Sequence, residues 1–348
     1  MNSMNIAIRA DASAAIGLGH LKRCLSLAMA LRERGATVSF FVRSIDVDGA
    51  ALIAAHGFDS HGIGSGAVGD EREDAGDFIT ACETNLTSAP QLVLADHYAL
   101  GAVWHAAVRA CTGASLAAIC DLGDRAMAVD LLLDPNVAAD HRVKHARLPA
   151  HAQIFGGPRY ALLAPNYATA PRCEPRDTVR SIGIFMGGTD ETNFSEQALR
   201  VLRDEVAYTG AVEIASTSGN PNLARLRRAV DAGTATRLTL DQADLAAFFA
   251  RHDLHLGAGG GATWERCCIG APTLAMIAAP NQREVLLPLQ HLGVVCVVRS
   301  DPPTAHDIAT ALRPLLDDAA QRRSLSTKAR ALVDGLGASR VAAHLLTL

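Results

Sequence analysis

Short apolar runs alternate along the chain with stretches whose apolar positions recur every three or four residues. Ile6-Ala7-Ile8 is the first run and predicts a buried strand. From His20 the pattern turns helical, with Leu21, Cys24, Leu25, Ala28 and Leu31 on one face, Lys22, Arg23, Arg32 and Glu33 on the other, and Gly35 as a stop. Further strands are predicted at 37–42, 91–95, 115–120 and 130–133, and helices at 47–56, 77–87 and 102–111. Residues 59–74, glycine-rich and acidic, read as a loop, as do 156–165. Residues 168–177 carry two prolines and mixed charge and read as a linker. A second alternating series follows. Its strands fall at 181–186, 211–215, 236–240, 252–256, 273–277 and 294–298. Its helices fall at 194–205, 223–230, 245–251, 262–269, 283–291, 306–316 and 321–336, with 341–348 as a closing segment.

Strand and helix alternating through two series predict an α/β protein of two doubly wound, Rossmann-like domains, 1–167 and 178–348, facing a cleft. The last helix is able to pack back on the first domain. Ligands in such sheets sit at the carboxyl ends of strands. Three glycine-containing loops follow predicted strands. The first runs from Asp11 through Gly17 and Gly19 to His20. The second holds Gly187 and Gly188, and the third runs through Gly259, Gly260 and Gly261. Free N–H groups in such loops and at helix starts hold anions, and glycines in plain tight turns are the other reading of each loop. Three loops together favour a phosphorylated ligand. The first is not G-x-G-x-x-G, so no dinucleotide fingerprint is present.

Several side chains fall on these rims. His20, at the first helical turn, reads as a base or as a helix-terminal polar residue. Glu265, just past the third loop, reads as an acceptor for ribose hydroxyls or as a carboxylate placed for the helix dipole. Asn281 and Gln282 read as amide contacts to a ligand or as turn and cap residues. Asp96, His97 and Tyr98 end a strand in the first half.

Composition narrows the field. In 348 residues, 49% apolar and 20% charged content makes a globular chain with ample core. A net charge of −4 gives no case for nucleic acid as a partner. No apolar run reaches the about 18 residues that span a bilayer, and the first residues read as strand rather than signal peptide. Eight scattered cysteines without a C-x-x-C pair read as reduced thiols of a cytoplasmic protein. No residues show metal-ligand spacing.

The runs RADASAAIGLGHLKRCLSLAMAL, ADHY, GPRYALL, FMGGTDETN and GAGGGATWERCCIGAPTLAMIAAPNQ occur in this order between residue 9 and about residue 282. In them the chain resembles the UDP-sugar hydrolases of pseudaminic acid biosynthesis. The resemblance implies a glycosyltransferase-B-like (GT-B-like) fold related to the MurG-type transferases, with water as acceptor. It implies hydrolysis of UDP-2,4-diacetamido-2,4,6-trideoxy-β-L-altropyranose, no metal, no cofactor, a small-molecule UDP-sugar as the partner, and a monomer. The family's base falls on His20. Asp11, Gly17, Gly19, Asp96, Tyr98, Asn281 and Gln282 fall on the sugar side. Gly187, Gly188, Gly259, Gly260, Gly261 and Glu265 fall on the UDP side. Two segments depart from the family: Gly261 and Ala262 replace a Ser and a Thr, and Cys120-Asp121 replaces an Asp-Asp pair. A GT-B transferase and a non-catalytic nucleotide-sugar binder are the competing readings.

Overall fold

The computed structural model describes residues 3–12, 18–44, 49–300 and 302–348. Gly17 lies outside the described residues. Backbone contacts divide the chain into two units, Met1–Pro165 with Gly335–Leu348, and Asn166–Asp334.

The first unit is built on a seven-stranded sheet. Its strands are β1 (Asn5–Ala10), β2 (Thr37–Ser44), β3 (Asp59–Ser65), β4 (Leu92–Asp96), β5 (Ser115–Ile119), β6 (Leu131–Asp134) and β7 (Gln153–Gly156), in the order β3-β2-β1-β4-β5-β6-β7. Every pairing is parallel. Its helices are α1 (Gly19–Arg32), α2 (Gly49–Ala55), α3 (Glu71–Asn85), α4 (Ala102–Thr112) and the single turn α5 (His141–Lys144). Leu21, Leu25 and Leu31 of α1 bury against one face with Ile6 and Ile8 of β1. Phe78 of α3 and Trp104 and Val108 of α4 bury against the other, with Phe41, Val93 and Leu116. Parallel strands covered on both faces read as near-continuous apolar runs, as β4 and β5 do.

The second unit carries six parallel strands: β8 (Ser181–Phe185), β9 (Ala211–Ser216), β10 (Thr236–Leu240), β11 (Leu254–Ala258), β12 (Thr273–Met276) and β13 (Cys296–Val298). Their order is β10-β9-β8-β11-β12-β13. The helices are α6 (Phe194–Arg200), α7 (Leu223–Ala232), α8 (Ala246–Arg251), α9 (Gly261–Ile269), α10 (Gln282–His291), α11 (Ala305–Asp317) and α12 (Ala319–Leu332). The last helix, α13 (Gly337–Leu345), belongs to the first unit, where it packs on α1 and buries Ala338, Val341, Ala342 and Leu345.

Several segments differ from the sequence reading, among them α3, which starts at Glu71 rather than 77, and the unexpected α5. β3 occupies part of the 59–74 stretch expected to be a loop, and β7 precedes the expected loop at 156. Both lie at a sheet edge, where a strand has one neighbour and few side chains to bury; in β3 only Ile63 is buried. Residues 168–177 lie within the second unit. Cys173 is buried there, and its N–H donates to the Ile269 carbonyl at 2.9 Å.

In each sheet the strand order reverses once, between β1 and β4 and between β8 and β11. These are the switch points at which open α/β sheets take ligands, and the predicted loops follow these strands.

Candidate active site

In the first unit His20 is the second residue of α1 and is buried. One turn further, Arg23 and Cys24 lie on the same face of the helix, at the i+3 and i+4 positions. All three reach Asp96, the last residue of β4, which pairs in register with Ala10 at the end of β1. His20 Nδ1 is 2.6 Å from Asp96 Oδ1. Arg23 clasps the same carboxylate with both arms, Nε to Oδ2 at 2.6 Å and Nη2 to Oδ1 at 2.6 Å. The Cys24 thiol donates to Oδ2 at 3.5 Å. Burial alone would raise the Asp96 carboxyl; the charges of Arg23 and then His20 outweigh it and hold the group below the usual carboxylate range. An ionised acceptor on Nδ1 assigns the ring proton to that nitrogen and leaves Nε2 as the basic one. The Tyr98 ring stands edge-on to the imidazole, with centroids 4.6 Å apart.

The structure therefore brings His20, Asp96 and Tyr98 together. The Asp11 side chain enters a different set of bonds. The Asp11 carboxylate is fully buried, takes Arg9 Nη2 at 2.8 Å and the Arg43 N–H at 2.8 Å, and lies 3.4 Å from His97 Nε2. Arg9 and Arg43 also grip the buried Asp74, which accepts the Trp104 indole N–H at 2.9 Å. This charge-matched network lies at the end of β1. Gly19 opens α1 beside His20.

In the second unit Gly187 and Gly188 follow β8, and the Gly188 carbonyl accepts the Thr217 hydroxyl at 2.7 Å. Asp190 ends that loop by capping α6, accepting the N–H groups of Phe194 and Ser195, each at 2.9 Å. At the other loop β11 runs two residues further than its apolar pattern suggests, through Gly257 and Ala258. Gly257 has no side chain because the Arg266 guanidinium fills that space; a Cβ there would lie 2.5 Å from Nη1. Arg266 is buried and donates to the Ala258 carbonyl at 2.7 Å. Burial lowers its pKa to about 10.

The turn itself is short. Gly260 has φ +130°, a left-handed backbone that favours glycine. A Cβ on Gly259 would lie 2.8 Å from the Gln282 Cβ, so this glycine lets the loop pack on α10. That contact brings Gln282 to the loop, although its Oε1 already accepts the Ala278 N–H at 2.9 Å. Asn281 is exposed at the start of α10 and its side chain makes no cap hydrogen bond to that helix. Gly261 is the first residue of α9, which places Glu265 in the second turn rather than the first. A helix-dipole role weakens beyond the first turn. The half-buried Glu265 instead accepts the Tyr167 hydroxyl on Oε2 at 2.7 Å.

No known family model matches the chain. It is 26% identical over 243 residues to the UDP-2,4-diacetamido-2,4,6-trideoxy-β-L-altropyranose hydrolase of Campylobacter jejuni, an alignment spanning 70% of this chain and 80% of that protein. Among solved structures it is similar to MurG of Acinetobacter baumannii, with a TM-score of 0.71 and 13% identity over 99% of this chain and 100% of that one. It is likewise similar to MnaA of S. aureus, solved with UDP, with a TM-score of 0.67 and 14% identity over 99% and 96% of the two chains. The fold is GT-B.

Within this GT-B chain, three residues of the two rims carry no obvious sequence signal. Arg23 falls on the charged face by simple periodicity, yet its arm folds back to Asp96. Tyr167 is 98 positions from Glu265. Arg266 sits in a pattern that reads as a plain amphipathic helix. A fourth group contradicts the expectation that no residues have metal-ligand spacing. His141, which opens α5, and His145, just past its end, converge with Asp134 so that their donor atoms lie within 4.8 Å of one another. Nε2 of His145 is 2.9 Å from Asp134 Oδ2 and Nδ1 of His141 is 3.2 Å from it. The Lys144 ammonium reaches the same oxygen at 2.8 Å, so a metal ion would have to displace a cation already paired there. All eight cysteines are free. Among the described residues no helix is long and apolar enough to cross a membrane.

Proposed function

We propose that this chain is a hydrolase of UDP-2,4-diacetamido-2,4,6-trideoxy-β-L-altropyranose, releasing UDP and 2,4-diacetamido-2,4,6-trideoxy-L-altrose in pseudaminic acid biosynthesis. The observation that carries the reading is the His20–Asp96 contact of 2.6 Å, backed by Arg23. It fits the activity in the Campylobacter relative's name.

In the proposed reaction, the water oxygen forms a bond to the anomeric carbon. The bond from that carbon to the β-phosphate oxygen breaks, and its electron pair leaves with UDP. His20 Nε2 takes the proton of the water, while Asp96 keeps Nδ1–H and stabilises the imidazolium. The imidazolium then loses its proton to solvent. Tyr98 and Asn281 are assigned to the sugar. The loop at Gly259, Gly260 and Gly261, with Gly187 and Gly188, is assigned to the diphosphate through backbone N–H groups, which are preorganised donors for developing negative charge. Glu265 is assigned to the ribose. These groups supply a base and an anion cradle from the chain itself, so turnover is expected to persist in EDTA.

A proton NMR time course of the purified protein with this UDP-sugar in EDTA tests the reading. Free sugar and UDP are expected to appear together without any acceptor. Since the GT-B fold also serves transferases, an unchanged spectrum that moves only on adding a sugar or lipid acceptor would replace hydrolysis with transfer.

A further inference from the structure

We infer that Tyr167 is a positioning residue that aims Glu265 at vicinal ribose hydroxyls, so that the second unit selects a ribonucleoside diphosphate over its 2′-deoxy counterpart. The inference rests on the proposed role of Glu265.

Tyr167 lies on the 3₁₀ turn Pro165–Ala168 and is 2% exposed. A phenol has one proton to give and lone pairs to accept with. Here the accepting side is taken by the Leu245 N–H at 3.3 Å. The only direction left for the phenol proton is Glu265 Oε2, at 2.7 Å. The relay runs one way, from the Leu245 amide to the phenol to the carboxylate. Glu265 Oε2 is therefore held as the acceptor of this contact. Burial, followed by the Glu265 charge, pushes the phenol far above its ordinary range, so it keeps its proton at every working pH.

The turn is also fixed at its backbone. The Cys268 thiol of α9 donates to the Tyr167 carbonyl at 3.5 Å, and Arg172 binds the Cys268 carbonyl. These bonds tie the Tyr167 backbone to the helix that carries Glu265. A glutamate at a half-exposed position ordinarily samples several rotamers, and freezing it on binding costs free energy. Holding one oxygen beforehand removes part of that cost and sets the plane in which the carboxylate meets a ligand. The groups such a carboxylate recognises are donors, and the 2′- and 3′-hydroxyls of a ribose are a matched pair of them.

Calorimetric titration of the full chain with UDP and with 2′-deoxy-UDP tests this. Wild type is expected to prefer UDP. Tyr167→Phe, which deletes one oxygen, is expected to weaken UDP by about tenfold, the scale of a hydrogen bond to a charged group. It should weaken 2′-deoxy-UDP less, shrinking the preference toward that of Glu265→Gln. Equal weakening of both nucleotides, or no change in either, overturns the inference and leaves Tyr167 a packing residue. A wild-type preference that survives in Glu265→Gln overturns the ribose role of Glu265 itself, a separable result. Should Tyr167→Phe fail to fold, ¹³Cζ-tyrosine NMR of wild type reads the same contact. UDP is expected to shift the Tyr167 signal more than 2′-deoxy-UDP does, and equal shifts overturn the inference.

Discussion

The switch points of the two sheets end in opposite kinds of chemistry. In the first unit, β4 ends on a carboxylate held by a histidine, an arginine and a thiol. The polar atoms gathered there are side chains, each fixed by a partner. In the second unit, β8 and β11 run into glycines, and the loops offer backbone atoms. On the proposed reading, one topology serves two tasks. Side chains clasped at a strand end suit proton transfer, which needs a defined tautomer. Glycine turns suit anion binding, which needs closely approaching N–H groups. The contrast predicts that changes in the first unit alter turnover, and that changes in the second alter nucleotide affinity.

The largest expected effect is that of His20→Ala. Turnover should fall by about 10²–10⁴-fold, the usual worth of a general base, while UDP affinity stays at the wild-type value. Single-turnover kinetics alongside UDP titration checks this, and a near-normal rate would remove His20 as the base. Asp96→Asn comes next. An amide offers its own N–H to Nδ1 and favours the other tautomer, and it deprives Arg23 of its charge partner. Losing a charge-assisted hydrogen bond of about 1.5–3 kcal/mol predicts about 10–100-fold lower kcat. If UDP binding fell instead and kcat held, the division of labour between the units would be broken.

Gly259→Ala sharpens the other side. Its Cβ would crowd Gln282 at 2.8 Å and Leu286 at 3.1 Å. Overpacking of this kind costs about 1–3 kcal/mol, here shared between stability and loop geometry. A several-fold loss of UDP affinity with little change in kcat is the expected outcome, and an unchanged Kd would take the loop out of the site.

The smallest effect lies away from both rims. His105 on α4 is buried, and among the described residues neither ring nitrogen has a hydrogen-bond partner. Burial, reinforced by Arg125 and Arg109, pushes its pKa down to about 3. Unfolded histidine titrates near 6.5. Below that pH the unfolded chain binds a proton that the folded chain refuses. Stability from this group therefore declines as pH falls from about 6.5 toward 3, by up to about 1.4 kcal/mol per pH unit. His105→Leu should lose less Tm than wild type between pH 7 and pH 5, and parallel Tm profiles would show that His105 does not set the slope.

Much of this arrangement is legible before any coordinates. The central strands announce themselves because they are buried on both faces. His20, Asp96 and Tyr98 stand out because a histidine after a glycine loop and polar residues at a strand end are unusual neighbours for apolar runs. What escapes is whatever depends on contact at a distance. β3 and β7 bury too little to leave a pattern. Arg23 looks like a surface cation until Asp96, 73 positions away, is placed beside it. Glu265 reads as a dipole residue until the start of α9 at Gly261 moves it to the second turn. Its partner Tyr167 has no periodicity to betray it.

The second unit is one uninterrupted stretch of chain, whereas the first is completed only by α13. On the ribosome the amino-terminal domain usually finishes first, but here the first unit lacks its last helix until the whole second unit has been translated. The first unit emerges early but must wait, with the outer side of α1 uncovered, until Val341 and Leu345 leave the exit tunnel. Every residue of the second unit, through Asp334, is translated before Gly335–Leu348. A nascent chain that stalls after Asp334 would hold a whole second unit joined to a first unit without α13, and a gene ended at that codon would reproduce that state permanently.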